Sequence, residues 1–180
     1  MNKRTIWITR TACFLALLMG VQLASQGLGN QFVTGSLVNM MLAVSVMIGG
    51  FASGTVVALV SPFLAMALPT ASPPLPLVPF IALGNFTLVA LWYIIVYKII
   101  KNNLHLAHIV ATIVGAIGKF AVLYVGIVLF AAPHILGLPV GAPVYFMFSW
   151  PQLVTALIGG AIACLILPTL RKALGFRFET

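Results

Sequence analysis

The sequence predicts an all-α membrane protein, a single domain over residues 1–180 with six transmembrane helices and both termini in the cytoplasm. Three observations carry this reading: the near absence of charge, the spacing of the apolar runs, and the placement of the basic residues. Of 180 residues, 62% are hydrophobic and only 6% are charged, with a mean hydropathy of +1.20. A water-soluble domain of this length carries roughly a quarter of its residues as Asp, Glu, Lys and Arg. So little charge cannot cover a surface in water, which makes lipid the solvent. A span needs about 20 mostly apolar residues to cross a hydrocarbon core of ~30 Å. Six such runs with short connections use the whole chain and leave no room for a soluble domain.

The first run extends from about Trp7 to Ser25, behind the basic cluster Lys3, Arg4 and Arg10. A polar bend, Gln26 to Gln31, separates it from a second run at about 32–48. Gly49, Gly50 and Gly54 predict a tight turn into a third run that ends near Leu68, kinked at Pro62. Membrane helices tolerate such a proline when neighbours satisfy the freed backbone. The proline-rich stretch from Pro69 to Pro76 cannot be helical in its interior. The fourth run covers about 77–97 and ends at Lys98 and Lys101; the fifth covers about 107–131. A longer connection over 132–148 holds Pro133, Gly137, Pro139, Gly141 and Pro143. Ser149, Pro151 and Gln152 then have the spacing of a capping box with proline in the first turn. The sixth run ends at Pro168, ahead of Arg171, Lys172 and Arg177.

Orientation follows from those cations. In a six-span arrangement one side of the membrane holds Lys3, Arg4, Arg10, Lys98, Lys101, Arg171, Lys172 and Arg177, and the loops on the other side hold no Lys or Arg. The positive-inside rule places the basic side in the cytoplasm and the protein in the cell membrane as a multi-pass chain. The first 25 residues also read as a secretory signal, although the run is long for a signal core, and its removal would leave the orientation of the other spans unchanged. The net charge of +8 does not point to nucleic acid, because no basic patch alternates with aromatics.

Lys119 is the most informative residue. It falls near the middle of the fifth run, too far from either interface to snorkel. A lysine there costs ~2.5–3.5 kcal/mol on insertion scales, and its usual offset is a carboxylate. The chain has one acidic residue, Glu179, outside every span. Three readings stay open: Lys119 binds an anionic substrate, it is a structural lysine capped by carbonyls and water, or it is a neutral lysine or one with a Schiff-base role. Asn85, about two turns into the fourth run, either ties helices together or lines a pocket, because an amide in lipid needs a partner. Trp92, seven residues on, is a candidate ligand contact or a packing aromatic. Asn30, Gln31 and Asn39 flank the first outer turn, where capping and turn formation are their simplest roles. Gln152 and Trp150 stand at the outer start of the last run. Ala12, Ala16, Gly20 and Ala24 repeat every four residues, a spacing that admits a close helix, whether from this chain or another. Cys13 and Cys164 lie in apolar runs and read as small hydrophobes, and His105, His108 and His134 as interfacial histidines.

No P-loop, zinc pattern or nucleophile–base pair is present, so no enzyme, cofactor or metal site is expected. Intramembrane acids, the usual mark of proton-coupled transport, are missing too.

Six short spans, the Ala12/Ala16 motif, and the stretches Gly29–Asn39, Val78–Asn85 and Phe148–Gln152 together resemble the S component of an energy-coupling factor (ECF) transporter. These are substrate-capture subunits of vitamin and micronutrient importers. The resemblance implies a small-molecule pocket, opening outward beneath the loops after helices 1, 3 and 5. It implies that Ala12 and Ala16 dock a transmembrane coupling subunit joined to two ATPases, and that toppling of the whole subunit carries substrate inward. Lys119, Asn85, Trp92, Asn30, Gln31 and Gln152 would then line the substrate site. Nickel and cobalt members carry histidine directly after Met1, where this chain has Asn2, which argues against metal uptake. A self-sufficient permease or channel, and a structural assembly protein, are the competing functions.

Overall fold

A computed structural model of the chain describes residues 2–68 and 73–173. Regular structure among the described residues is entirely helical. The α-helices in chain order are α1 (Lys3–Gln26), α2 (Gln31–Ala65), α3 (Val78–Ile94), α4 (Leu104–Leu123), α5 (Pro143–Met147) and α6 (Trp150–Ala173). A single 3-10 turn, Leu75–Leu77, leads into α3, and π-type winding over Ile95–Ile99 and Tyr124–Ile135 prolongs α3 and α4.

Five helices among the described residues are long and apolar enough to cross a membrane, not six: Lys3–Ser25, Gln31–Ala65, Leu75–Ile99, Leu104–Ile135 and Pro143–Ala173. The difference lies in α2, which takes up both the second and third expected spans. It is broken at Gly50, whose φ of 84° and ψ of 172° are not helical. That φ lies where only glycine is comfortable. The chain reverses there: a Cβ on Gly54 would lie 2.7 Å from Val46 Cβ, whereas in a continuous helix eight residues span ~12 Å. At the far ends of the two arms, Gln31 and Ala65 line one cavity. The arm 51–65 is only ~22 Å long at 1.5 Å per residue, short of a span by length alone. The glycine turn predicted at 49–54 is therefore present, inside one bent element.

The arms of α2 are the hub of the bundle. They pack on α1, α3 and α6, while α4 closes the ring between α3 and α6. Small residues set the closest crossings. A Cβ on Gly159 would strike Ser36 O and come within 2.7 Å of Asn39 Cβ, and one on Gly160 would come within 2.5 Å of Thr112 Cγ2. The backbone of α6 thus rests directly on α2 and α4, the close approach that small residues allow.

The Thr11–Ser53 and Tyr97–Met47 hydrogen bonds at one side and the Gln31–Met147 bond at the other give the bundle two ends. At one end lie Lys3, Arg4 and Arg10, the Gly50 reversal, Lys98, Lys101, His108 and Arg171. At the other lie the α1–α2 junction, Pro73, α5 and the start of α6. Buried Leu42, Val46, Leu88, Val89, Trp92 and Val96 fill the bundle toward the basic end. A smaller apolar cluster around Leu77, Leu123, Ile127 and Phe148 packs the opposite end.

Several local expectations are corrected. Ser149 does not cap α6 through its side chain: its Oγ donates to Phe146 O at 2.9 Å, and Gln152 Nε2 donates to Met147 O at 3.0 Å. His108 is buried among its neighbours rather than exposed. Cys13 is exposed on α1 and not buried. Arg177, Glu179 and the loop residues Pro69 to Ser72 lie outside the described residues.

Candidate functional site

One cavity of about 350 Å³ opens at the end of the bundle away from the basic residues. Its floor is Lys119, carried on the fifth turn of α4 and only 4% exposed. The ammonium donates to Asn39 Oδ1 and to Asn85 Oδ1, each at 2.7 Å. Asn39 comes from the first arm of α2 and Asn85 from α3, so three elements meet at a single nitrogen. Both amides are buried, at 2% and 3% exposure.

The electrostatics of this floor are unusual because the described residues contain no Asp or Glu. The effective penalty for burying one ion is several kcal/mol. A hydrogen bond to a charged group returns about 1.5–3 kcal/mol. Two such bonds bring the ammonium near balance, with one N–H left over and a cavity in front of it. Asn39 also donates from Nδ2 to Thr155 Oγ1, at a long 3.4 Å. Thr155 in turn donates to Gln152 O at 3.1 Å, which ties the floor to the first turn of α6.

At the mouth, Asn30 caps α2 by accepting from Phe32 N at 2.9 Å, the capping role its position predicts. Gln31 and Gln152 converge on one acceptor: Gln31 Nε2 lies 2.9 Å and Gln152 Nε2 3.0 Å from Met147 O. These two bonds join the α1–α2 junction and α6 to the end of α5, beside Phe148. Val38, Pro62, Ile81 and Leu123 supply the apolar wall, and Thr34 and Ser61 add hydroxyls.

The structure therefore brings together five of the residues singled out for a substrate site: Lys119, Asn85, Asn30, Gln31 and Gln152. Trp92 is not among them. It is 1% exposed, its ring centroid lies 5.8 Å from that of His108, and a Cβ on Gly115 would come within 3.0 Å of it. Seven residues beyond Asn85, it shares a face of α3 but lies two turns nearer the basic end, where it packs the core. Asn39 is the residue that sequence reasoning misplaced. It stands two turns inside α2 and not at the bend, and the usable signal was an amide amid apolar and small residues.

Ala12 and Ala16 lie elsewhere, on an exposed face of α1. That helix packs on α2 through Leu18 and Thr11, whose Oγ1 is 2.8 Å from Ser53 Oγ. Intramolecular packing does not account for the small-residue stripe; a Cβ on Gly20 would meet nothing within 4 Å.

Among the described residues, no three His, Cys, Asp or Glu side chains gather in one place. No known protein family, curated protein or solved structure matches this chain.

Proposed function

We propose that this protein is the substrate-capture subunit of an importer of the energy-coupling factor type, taking a small anionic solute from outside the cell. The single observation that carries the reading is Lys119, a buried lysine with no acid partner among the described residues, held by two amides at the floor of a cavity. The basic residues cluster at the opposite end, so the positive-inside rule turns the cavity outward and both termini inward. On this reading both arms of α2 cross, which makes six passes. The second arm is short, and the bilayer thins or flanking residues snorkel to accommodate it.

Packing disfavours a self-sufficient channel, because Leu42, Val46, Leu88 and Trp92 fill the path from the cavity toward the basic end. Inward delivery then needs movement of the whole subunit, driven by ATPases on other chains through a coupling subunit. The exposed Ala12 and Ala16 offer a close-contact face for that coupling subunit.

The test is solute uptake in cells carrying this chain with and without the coupling subunit and both ATPases. The proposal expects high-affinity binding by the isolated chain and ATP-dependent uptake only by the complete set. Uptake by this chain alone would establish a permease instead.

A further inference from the structure

The amide geometry around Lys119 narrows the solute class, on the premise that the cavity is a capture site. The ammonium needs acceptors, so both Asn39 and Asn85 turn Oδ1 toward it. That choice fixes where each Nδ2 points. One N–H of the Asn39 Nδ2 is directed at Thr155. The Asn85 Nδ2 makes no hydrogen bond among the described residues and is not sealed off, and Asn85 lines the cavity. Lys119 likewise keeps one of its three N–H groups. Two donors on neighbouring residues, one charged and one neutral, thus face the same space, and the residues that carry them are more than nine-tenths buried.

We infer that Lys119 and Asn85 form a two-pronged seat for a single carboxylate, one oxygen on the ammonium and the other on the Asn85 amide. The solute is a monocarboxylate whose remaining polar groups are uncharged. The counting of charge requires this. The cavity holds one cation and no other Lys, Arg or acid, so one negative charge neutralises the site. A phosphate monoester brings about −1.5 to −2 and would leave the excess buried without a partner. A cationic solute would face Lys119 with nothing to offset it. Toward the mouth the lining offers Thr34, Ser61, Asn30 and Gln31, neutral groups suited to hydroxyls or amides. The carboxylate therefore enters first and lies deepest.

The experiment is native mass spectrometry of the freshly solubilised protein, with the released ligand identified, for the wild type, Lys119→Met and Asn85→Asp. Asn85→Asp keeps the side-chain shape, gives Lys119 an ion-pair partner that supports folding, and places a negative charge where the carboxylate should sit. A ligand with one carboxylate and no other charge, absent from both folded variants, is the expected result. Titrating that acid and its primary amide into ligand-free protein should show the amide weaker by about 10- to 150-fold, the loss of one charge-assisted contact. A bound ligand that is neutral, cationic or phosphorylated would overturn the carboxylate seat and leave substrate capture standing. Undiminished binding by a folded Asn85→Asp protein would also overturn it. A protein that holds no small molecule of any kind would overturn the seat and the capture reading together.

Discussion

Lys119 and Arg171 are both buried cations, 4% and 7% exposed, but they occupy different surroundings at opposite ends of the bundle. Arg171 lies in the last turn of α6, where the carbonyl end of the helix favours positive charge. Tyr97 and His108 are within its electrostatic reach, and the packed core begins at Trp92. Lys119 sits in mid-helix, where no helix terminus can help it, and two amides hold it against a void. One cation closes an end of the protein; the other leaves a donor pointing into space. The lesson is that burial alone does not mark a binding residue. What marks Lys119 is its place at the floor of a cavity, which Arg171 does not share.

The largest expected effect separates packing from binding. Trp92→Ala removes the aromatic that fills the α3–α4 contact and should lower stability by on the order of 3 kcal/mol. Thermal unfolding in detergent would show this, while the affinity for the copurified ligand stays unchanged. A weakened affinity in a protein of normal stability would return Trp92 to the site.

Lys119→Met tests the other half of the contrast. It retains length and apolar bulk, so it should cost about 1.5–3 kcal/mol of binding, or about 10- to 150-fold, without lowering the unfolding temperature. Arg171→Met should do the reverse, leaving calorimetric affinity unaltered and reducing stability. If both substitutions weaken binding equally, the two cations act through one network and the comparison fails.

A smaller effect is expected at the mouth. Gln31→Leu and Gln152→Leu each remove one neutral hydrogen bond to Met147 O, worth about 0.5–1.5 kcal/mol. Either alone leaves the carbonyl satisfied, so the double variant should lose more than the sum of the singles. The readout is the ligand dissociation rate, which should rise as the mouth loosens.

The smallest effect on the isolated protein should come from Ala12→Leu with Ala16→Leu, because that face of α1 is open. Folding and ligand affinity should remain as in the wild type, while copurification with the coupling subunit is lost. In a background without Cys13 and Cys164, Val140→Cys should be labelled from outside intact cells and Asn102→Cys spared, which tests the sidedness of both ends.

Much of this protein was determined by sequence alone. Helices long and apolar enough to cross a membrane, helix as the only regular structure among the described residues and the clustering of basic residues at one end follow from composition and from the cost of unsatisfied backbone in hydrocarbon. A lone lysine in the middle of an apolar run without an acid was equally legible, and Asn85 stood out because an amide in an apolar run needs a partner. What the sequence did not decide was which polar residues meet. Asn39 and Asn85 are 46 positions apart and reach one nitrogen because α2, reversed at Gly50, packs on α3, and α3 packs on α4. Trp92 and Asn85 share a face of α3, yet one lines the cavity and the other packs the core, because depth along a helix is set by its neighbours. Helix periodicity specifies direction around the axis; only the tertiary structure specifies what waits there.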